Sequence, residues 1–318
     1  MPSGLAALAA RLAGGWGRLS PNHRGALWMI GASLGFTLNS ALVKALTTGD
    51  QGVGGLDVFQ VAFARAFFSF ALVVPFLLRA GPGALATRYP VTHGIRAFCG
   101  AAAMVCGFYA VGRLHLADFT ALTFTQPLFV TLLAVVLLGE VVRWRRWLAT
   151  AVGFLGVLVM VRPGASAFDP AALVALLQVL GIAIAVCLVK RLPAGETNAT
   201  MLAYFCLMSI VITVVPAVIW WTPPSAVQWL LLVGVGVLGV ASQAMILRAY
   251  RSGEASFVAP FDYLKLLLAG FIGFVVFNEV PGPWTLLGAA IIVGAAIYIA
   301  RREAAQAVAR RQPGGTVT

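Results

Sequence analysis

Charge is what this sequence has least of. Only 10% of its 318 residues are Asp, Glu, Lys or Arg, where a soluble domain carries about a quarter. There is no CxxC, and the four cysteines, Cys99, Cys106, Cys187 and Cys206, sit inside apolar runs. They read as small core residues rather than disulfides or metal ligands. There is no GxxxxGK[ST], no HExxH and no GxSxG, so a P-loop ATPase, a zinc peptidase and a hydrolase elbow are excluded. The three histidines, His23, His93 and His115, are scattered at segment edges and read as solvated. No metal, cofactor or enzymatic role is expected. Nor does a signal peptide appear. Residues 1–24 hold Arg11, Arg18 and Arg24, but Gly14, Gly15 and Gly17 interrupt their weakly apolar part. Leu5, Leu8 and Leu12 fit a short surface helix as well as they fit a disordered segment.

What is present is long hydrophobic runs. The chain is 61% hydrophobic with a mean hydropathy of +0.95, and runs of about 18 or more apolar residues read as membrane-spanning helices. Ten are expected, at about 25–46, 56–79, 92–112, 115–138, 146–162, 170–191, 197–220, 225–247, 255–278 and 283–300. The net charge of +12 lacks the interleaved aromatics of a nucleic-acid surface, so no nucleic acid is expected. It follows the loops instead. With the N-terminus cytoplasmic, Arg143, Arg145, Arg146, Lys190, Arg191, Arg248, Arg251, Arg301 and Arg302 fall on that side. Only Arg113 and Arg162 lie among the opposite loops, beside Asp50, Asp57, Asp169 and Glu279. That asymmetry fits the positive-inside rule and puts both termini in the cytoplasm.

The chain repeats itself. ALVKAL (Ala41 to Leu46) returns as CLVKRL (Cys187 to Leu192), each closing the first span of a group of five. LLGEVV, with Glu140, returns as FNEVP, with Glu279, each closing the fourth. Lys44, Lys190, Glu140 and Glu279 are therefore structural marks of the repeat. Because five is odd, the second copy enters the membrane from the opposite side. The fold class expected is all-α integral membrane, ten transmembrane helices as two inverted five-helix repeats. Residues 1–24 form a cytoplasmic segment, 25–164 the first repeat, 165–302 the second and 303–318 a frayed cytoplasmic tail.

At this point the chain resembles the drug/metabolite transporter superfamily, EamA type. The resemblance rests on LGE (Leu138 to Glu140), MVRPG (Met160 to Gly164), EASFVAPFDYL and the following NEV, and covers nearly all of residues 25–301. The second copy has Asn278-Glu279 where the family has GE. The resemblance implies that the fourth and ninth spans border a central cavity. It also implies substrates ranging over amino acids, nucleotides, riboflavin, S-adenosylmethionine and drugs.

Charges within hydrocarbon cost several kcal/mol and mark cavities or partners. Arg65 lies about 14 Å into its span, Lys265 about 15 Å and Gln126 about 16 Å. The offset between the two glutamates carries Gln126 onto Lys265 and Thr123 onto Asp262, so polar groups recur at related depths. Arg65, Thr123, Gln126, Asp262, Tyr263, Lys265 and Asn39 are the candidate substrate-binding residues. Asp262 and Lys265, at i and i+3, could equally form an ion pair within one helix. Asp118 reads as a mouth residue, Lys44 and Arg96 as snorkelling ends, and Pro127 and Pro260 as plain kinks. Gly31 and Gly35 read as close helix packing.

The function expected is secondary transport of a small polar, zwitterionic or anionic metabolite by alternating access through a midplane cavity. The alternative is a lipid or amphiphile flippase, or an exporter of drugs or metabolites. The partners are a small-molecule substrate and the lipid bilayer of the inner membrane. The chain is a monomer or a homodimer.

Overall fold

A chain this apolar offers its backbone no water, and helices satisfy the amides within each segment. A computed structural model of the protein describes residues 20–49, 55–81, 85–139, 144–162, 169–192, 198–253 and 255–311. Among the described residues there is no strand. The spans are α1 (Pro21–Thr48), α2 (Val58–Ala80), α3 (Pro90–Arg113), α4a (Leu116–Thr123) with α4b (Gln126–Leu138), and α5 (Trp144–Val161). The second set is α6 (Ala171–Arg191), α7 (Asn198–Ile219), α8 (Ala226–Ser252), α9a (Ala255–Val258) joined through a 3-10 turn (Ala259–Tyr263) to α9b (Leu264–Phe277), and α10 (Pro283–Arg311). Eight of the spans are long and apolar enough to cross a membrane, and Trp147–Val161 and Pro283–Ile299 are shorter apolar helices. The protein is thus a multi-pass membrane protein of ten helices.

The ends are set by local chemistry. Ser20 caps α1 by accepting the His23 amide, with Pro21 in the first turn. Asp57 accepts the Phe59 amide at 2.8 Å, and Ser225 with Gln228 forms a capping box on α8. Gly139 ends α4b in the left-handed region at φ 66°. Its repeat counterpart Asn278 ends α9b at φ 56°. Asparagine is the residue after glycine that best tolerates this geometry. The change from GE to NE therefore keeps the same helix stop.

The packing obeys the repeat. α1 lies along α8 as α6 lies along α3; α2 against α8 mirrors α7 against α3; α2 meets α7, and α5 meets α10. Matching notches underlie these seams. Gly35 faces Ser242, and Gly181 faces Ala103. Gly239 faces Arg65, and Gly100 faces Phe205. These pairs map one half onto the other, so the two five-helix repeats are inverted relatives packed into one bundle. Val43, Leu46, Phe108, Leu116, Leu232 and Ile292 belong to its main apolar core. Phe76, Val136 and Leu267 point outward, as a lipid-facing surface requires.

Five expectations are corrected. The fourth span was expected to run unbroken over 115–138, and the tail beyond Arg302 to be frayed: the fourth is broken at Phe124 and Thr125, and α10 continues to Arg311. Pro127 and Pro260 mark helix breaks rather than kinks, since Pro127 follows the turn at Phe124 and Thr125 and Pro260 lies within the 3-10 turn. His93 is fully buried and packs on Tyr204, ring centroids 5.1 Å apart. Arg96 does not snorkel; it is buried and donates to Met201 O at 2.6 Å.

Gly35 provides a test of the seam. A Cβ there would collide with Ser242 Oγ, while Ser242 Cβ stands at 3.4 Å. Gly35→Ala is expected to destabilise the protein by about 1–3 kcal/mol, and adding Ser242→Ala to recover most of the loss, read as thermal unfolding in detergent.

Candidate functional site

The breaks in α4 and α9 fall where the repeat aligns Thr123 with Asp262 and Gln126 with Lys265. In the first, Thr123 Oγ1 donates to Thr120 O and Thr125 Oγ1 to Leu122 O, both at 2.6 Å. Thr120 Oγ1 donates to Leu116 O at 2.7 Å. The hydroxyls thus turn back onto freed carbonyls, and the half-buried Gln126 opens α4b. In the second, Asp262 and Lys265 form an ion pair across the 3-10 to α transition. Their side chains are 28% and 18% exposed, so the pair is neither sealed nor free in bulk water. Lys265 Nζ lies 5.0 Å from the Phe36 ring centre. The Tyr263 ring packs on Phe124 with centroids 5.1 Å apart. Ser33 Oγ donates to Phe261 O at 3.3 Å. The two broken helices therefore meet through aromatic rings beside a charged pair.

Arg65 stands apart from that pair. Its guanidinium is 5.5 Å from the Phe108 ring centre and fills the notch at Gly239, where a Cβ would come within 3.0 Å of Nε. That Nε is buried and without a hydrogen-bond partner. Among the described residues Arg65 forms no ion pair. The repeat places Phe205 at the corresponding notch, against Gly100. A cation has replaced an aromatic on one side of the two-fold only.

Asn39 spends its amide elsewhere: it is 6% exposed and donates to Val235 O at 2.7 Å, which closes the seam between α1 and α8.

The repeat marks carry more than expected. Lys44 was read as snorkelling; it is 5% exposed and forms an ion pair with Glu279. It also donates to Leu114 O at 2.5 Å and lies over the Phe277 ring. Glu279 accepts the Leu116 amide at 2.7 Å. One buried pair thus ties the end of α1, the start of α4a and the end of α9b. At this end α4a packs on α9b and α1 on α3. The symmetry-equivalent approaches of α4b to α9a and α6 to α8 are at most marginal among the described residues. Lys190 lies exposed at the corresponding end of α6, and neighbouring Arg191 donates to Leu137 O. Glu140 lies outside the described residues. The aromatic partners Phe36, Phe108 and Phe124 gave no signal in the sequence, since twenty phenylalanines are spread along the chain.

An EamA-like transporter family model matches residues 23–162 and again 169–301. The chain belongs to the EamA-like transporter family. It is 30% identical to the S-adenosylmethionine uptake transporter of Rickettsia prowazekii, over 86% of this chain and 92% of that protein. It is 32% identical to the riboflavin transporter of Vibrio cholerae, over 88% and 94%. It is 29% identical to the pseudopaline exporter CntI of Pseudomonas aeruginosa, over 87% and 96%. A protein crystal structure shares the fold with a TM-score of 0.54 and 21% identity, over 89% of this chain and 99% of that one. EamA relatives are transporters and not enzymes, which agrees with a site built from ion pairs and rings.

Breaking the Lys44–Glu279 pair from one side strands a buried charge. Glu279→Ala is expected to cost about 3–5 kcal/mol, whereas Lys44→Met with Glu279→Leu restores most of it. Chemical unfolding of the purified protein measures both.

Proposed function

We propose that this EamA transporter carries a small polar metabolite with an anionic group, zwitterionic molecules included, by alternating access through a cavity at the breaks of α4 and α9. The observation that carries this reading is Arg65. A guanidinium deep in a span is costly unless it meets an opposite charge. Among the described residues this one has an aromatic face, a glycine notch and a buried Nε without a partner. A carboxylate or phosphate of the substrate is the group it lacks. Asp262 and Lys265, already paired and partly exposed, supply a dipole that a zwitterion can join, and Tyr263 and Phe124 supply ring faces for a planar part. The names of the relatives, S-adenosylmethionine, riboflavin and pseudopaline carriers, fit solutes that combine ring or chain with charged groups.

Alternating access is supported by the inverted repeat and by the unequal packing of its two ends. The Lys44 end is latched, and the opposite end is less closely packed among the described residues. The distribution of loop arginines supports cytoplasmic termini and an inner-membrane location. Net direction follows from the solute gradient and any coupling ion, and the relatives include both uptake and export proteins.

A thermal-shift screen of the purified protein against a metabolite library identifies the ligand, because a solute bound only by the folded state raises its apparent stability. Uptake of that solute into proteoliposomes is expected to fall about ten-fold or more in Arg65→Ala, with normal insertion. Unchanged uptake in both Arg65→Ala and Lys265→Ala would remove the cavity assignment.

A further inference from the structure

The latch at the Lys44 end holds one charge too many. Lys44 and Glu279 balance each other at 6% and 10% side-chain exposure. Beside them lies Asp118, on the first turn of α4a. Its Oδ2 is 3.5 Å from His115 Nδ1, and its Oδ1 is buried with no hydrogen-bond partner. The Thr285 hydroxyl of α10 is in hydrogen-bonding range. The charged groups facing Asp118 from the surrounding elements are His115 on its own turn, Lys44 at the end of α1 and Glu279 after α9b. Arg113 and Arg162, at the same end, lie over the Tyr109 and Trp284 rings. With Asp118 and Glu279 both ionised and His115 neutral, two carboxylates share one ammonium in a poorly hydrated corner, which is unfavourable.

The repeat separates structural need from addition. In sequence a lysine and a glutamate stand at matching positions of both halves, Lys44 and Glu140 in the first and Lys190 and Glu279 in the second. Asp118 does not recur: its counterpart is Phe257, whose ring packs on His23 and Phe261. A helix stop or seam shared by both halves does not require the acid. His115 is half-exposed, with a side chain 52% accessible against 23% for Asp118, and gives the half-buried acid a further contact to water.

We propose that Asp118 is a proton-binding site, served by His115, that operates the Lys44–Glu279 latch. With the proton on Asp118 the corner is neutral, Lys44 belongs to Glu279 alone, and the closed end is favoured. On deprotonation Asp118 competes for Lys44 and repels Glu279, the Leu116 amide loses its acceptor, and α4a separates from α9b. The proton moves between Asp118, the His115 imidazole and water at this end, with no other bond made or broken. Acid on this side therefore closes the end, and base opens it. The proposal does not depend on Arg65 or on the identity of the solute. It rests on the alternating-access reading only for its consequence, which is that closure of one gate is tied to proton binding.

The test needs no substrate. Spin labels on Thr48→Cys and Val280→Cys, in the reconstituted full-length protein lacking its four native cysteines, report the distance across the latch. As pH falls from about 8 to about 5, the closed population is expected to rise about two-fold or more. Asp118→Asn, the neutral isostere, should be closed at both pH values. Asp118→Glu, which keeps an acid, should retain the response with a displaced midpoint. A wild-type distance distribution that ignores pH overturns the proposal, as does a full response in Asp118→Asn. Should Asp118→Asn not fold, the wild-type titration and Asp118→Glu decide alone. Loss of uptake in Arg65→Ala leaves all these distances unaffected, so failure here and failure of the substrate site are read separately.

Discussion

Inside a bilayer a charge has no water to fall back on, and the fold is organised by how each one is met. The Lys44–Glu279 pair is the fullest solution. The ammonium has a carboxylate, a carbonyl and a ring; the carboxylate has the ammonium and the Leu116 amide. These partners come from three different spans. The pair thereby ties the end of α1 to the start of α4a and the end of α9b. Removing the charges together is tolerable, whereas removing one is not. Arg96, donating to Met201 O, solves the same problem with one carbonyl. Arg65 has a ring, a notch and a buried Nε without a partner, and that unequal provision is what the proposed function explains by a solute anion.

The symmetry of the repeat was legible in the sequence because it is written in residues with few substitutes. Lys44 and Glu279, which form the buried pair, and the helix-stopping Gly139 and Asn278 each do something an aliphatic residue cannot. The ten spans were legible because hydrocarbon thickness fixes helix length. What the sequence did not disclose was which partner each polar group had chosen. Asn39 has the composition of a cavity residue, yet its amide went to Val235 O across a helix seam. Lys44 sits at a helix end, where snorkelling is cheap, but an acid from the other repeat was within reach. Partner choice is a property of tertiary contact between distant segments, and no local pattern encodes it.

The breaks in α4 and α9 show the same division. Proline in a span was visible, and so was the alignment of Thr123 with Asp262. A proline alone is satisfied by a kink. At the full break the Thr123 and Thr125 hydroxyls donate to the Thr120 and Leu122 carbonyls of the preceding turn, and the second copy passes through a 3-10 turn at the matching place. Irregular backbone at membrane depth is tolerated where protein or a water-filled cavity surrounds it. Its recurrence in both halves places the least regular backbone of the described spans at the junction between the repeats.

A perfectly two-fold bundle would have no preferred state, because any contact closing one end would have an equal at the other. Among the many positions at which the two copies differ, four that carry a charge in one copy only bear on the site and the latch. Arg65 stands where the repeat has Phe205, Lys265 where it has Gln126, Asp262 where it has Thr123, and Asp118 where it has Phe257. The first three give the central region a polar orientation, which under the proposed function would leave an asymmetric solute one favourable way to sit. The fourth adds a titratable acid to one latch and not to its relative, so that the two ends respond differently to their surroundings. Under the proposed function the shared residues supply the two-fold frame, and the unshared ones would give the solute an orientation and the two ends an order.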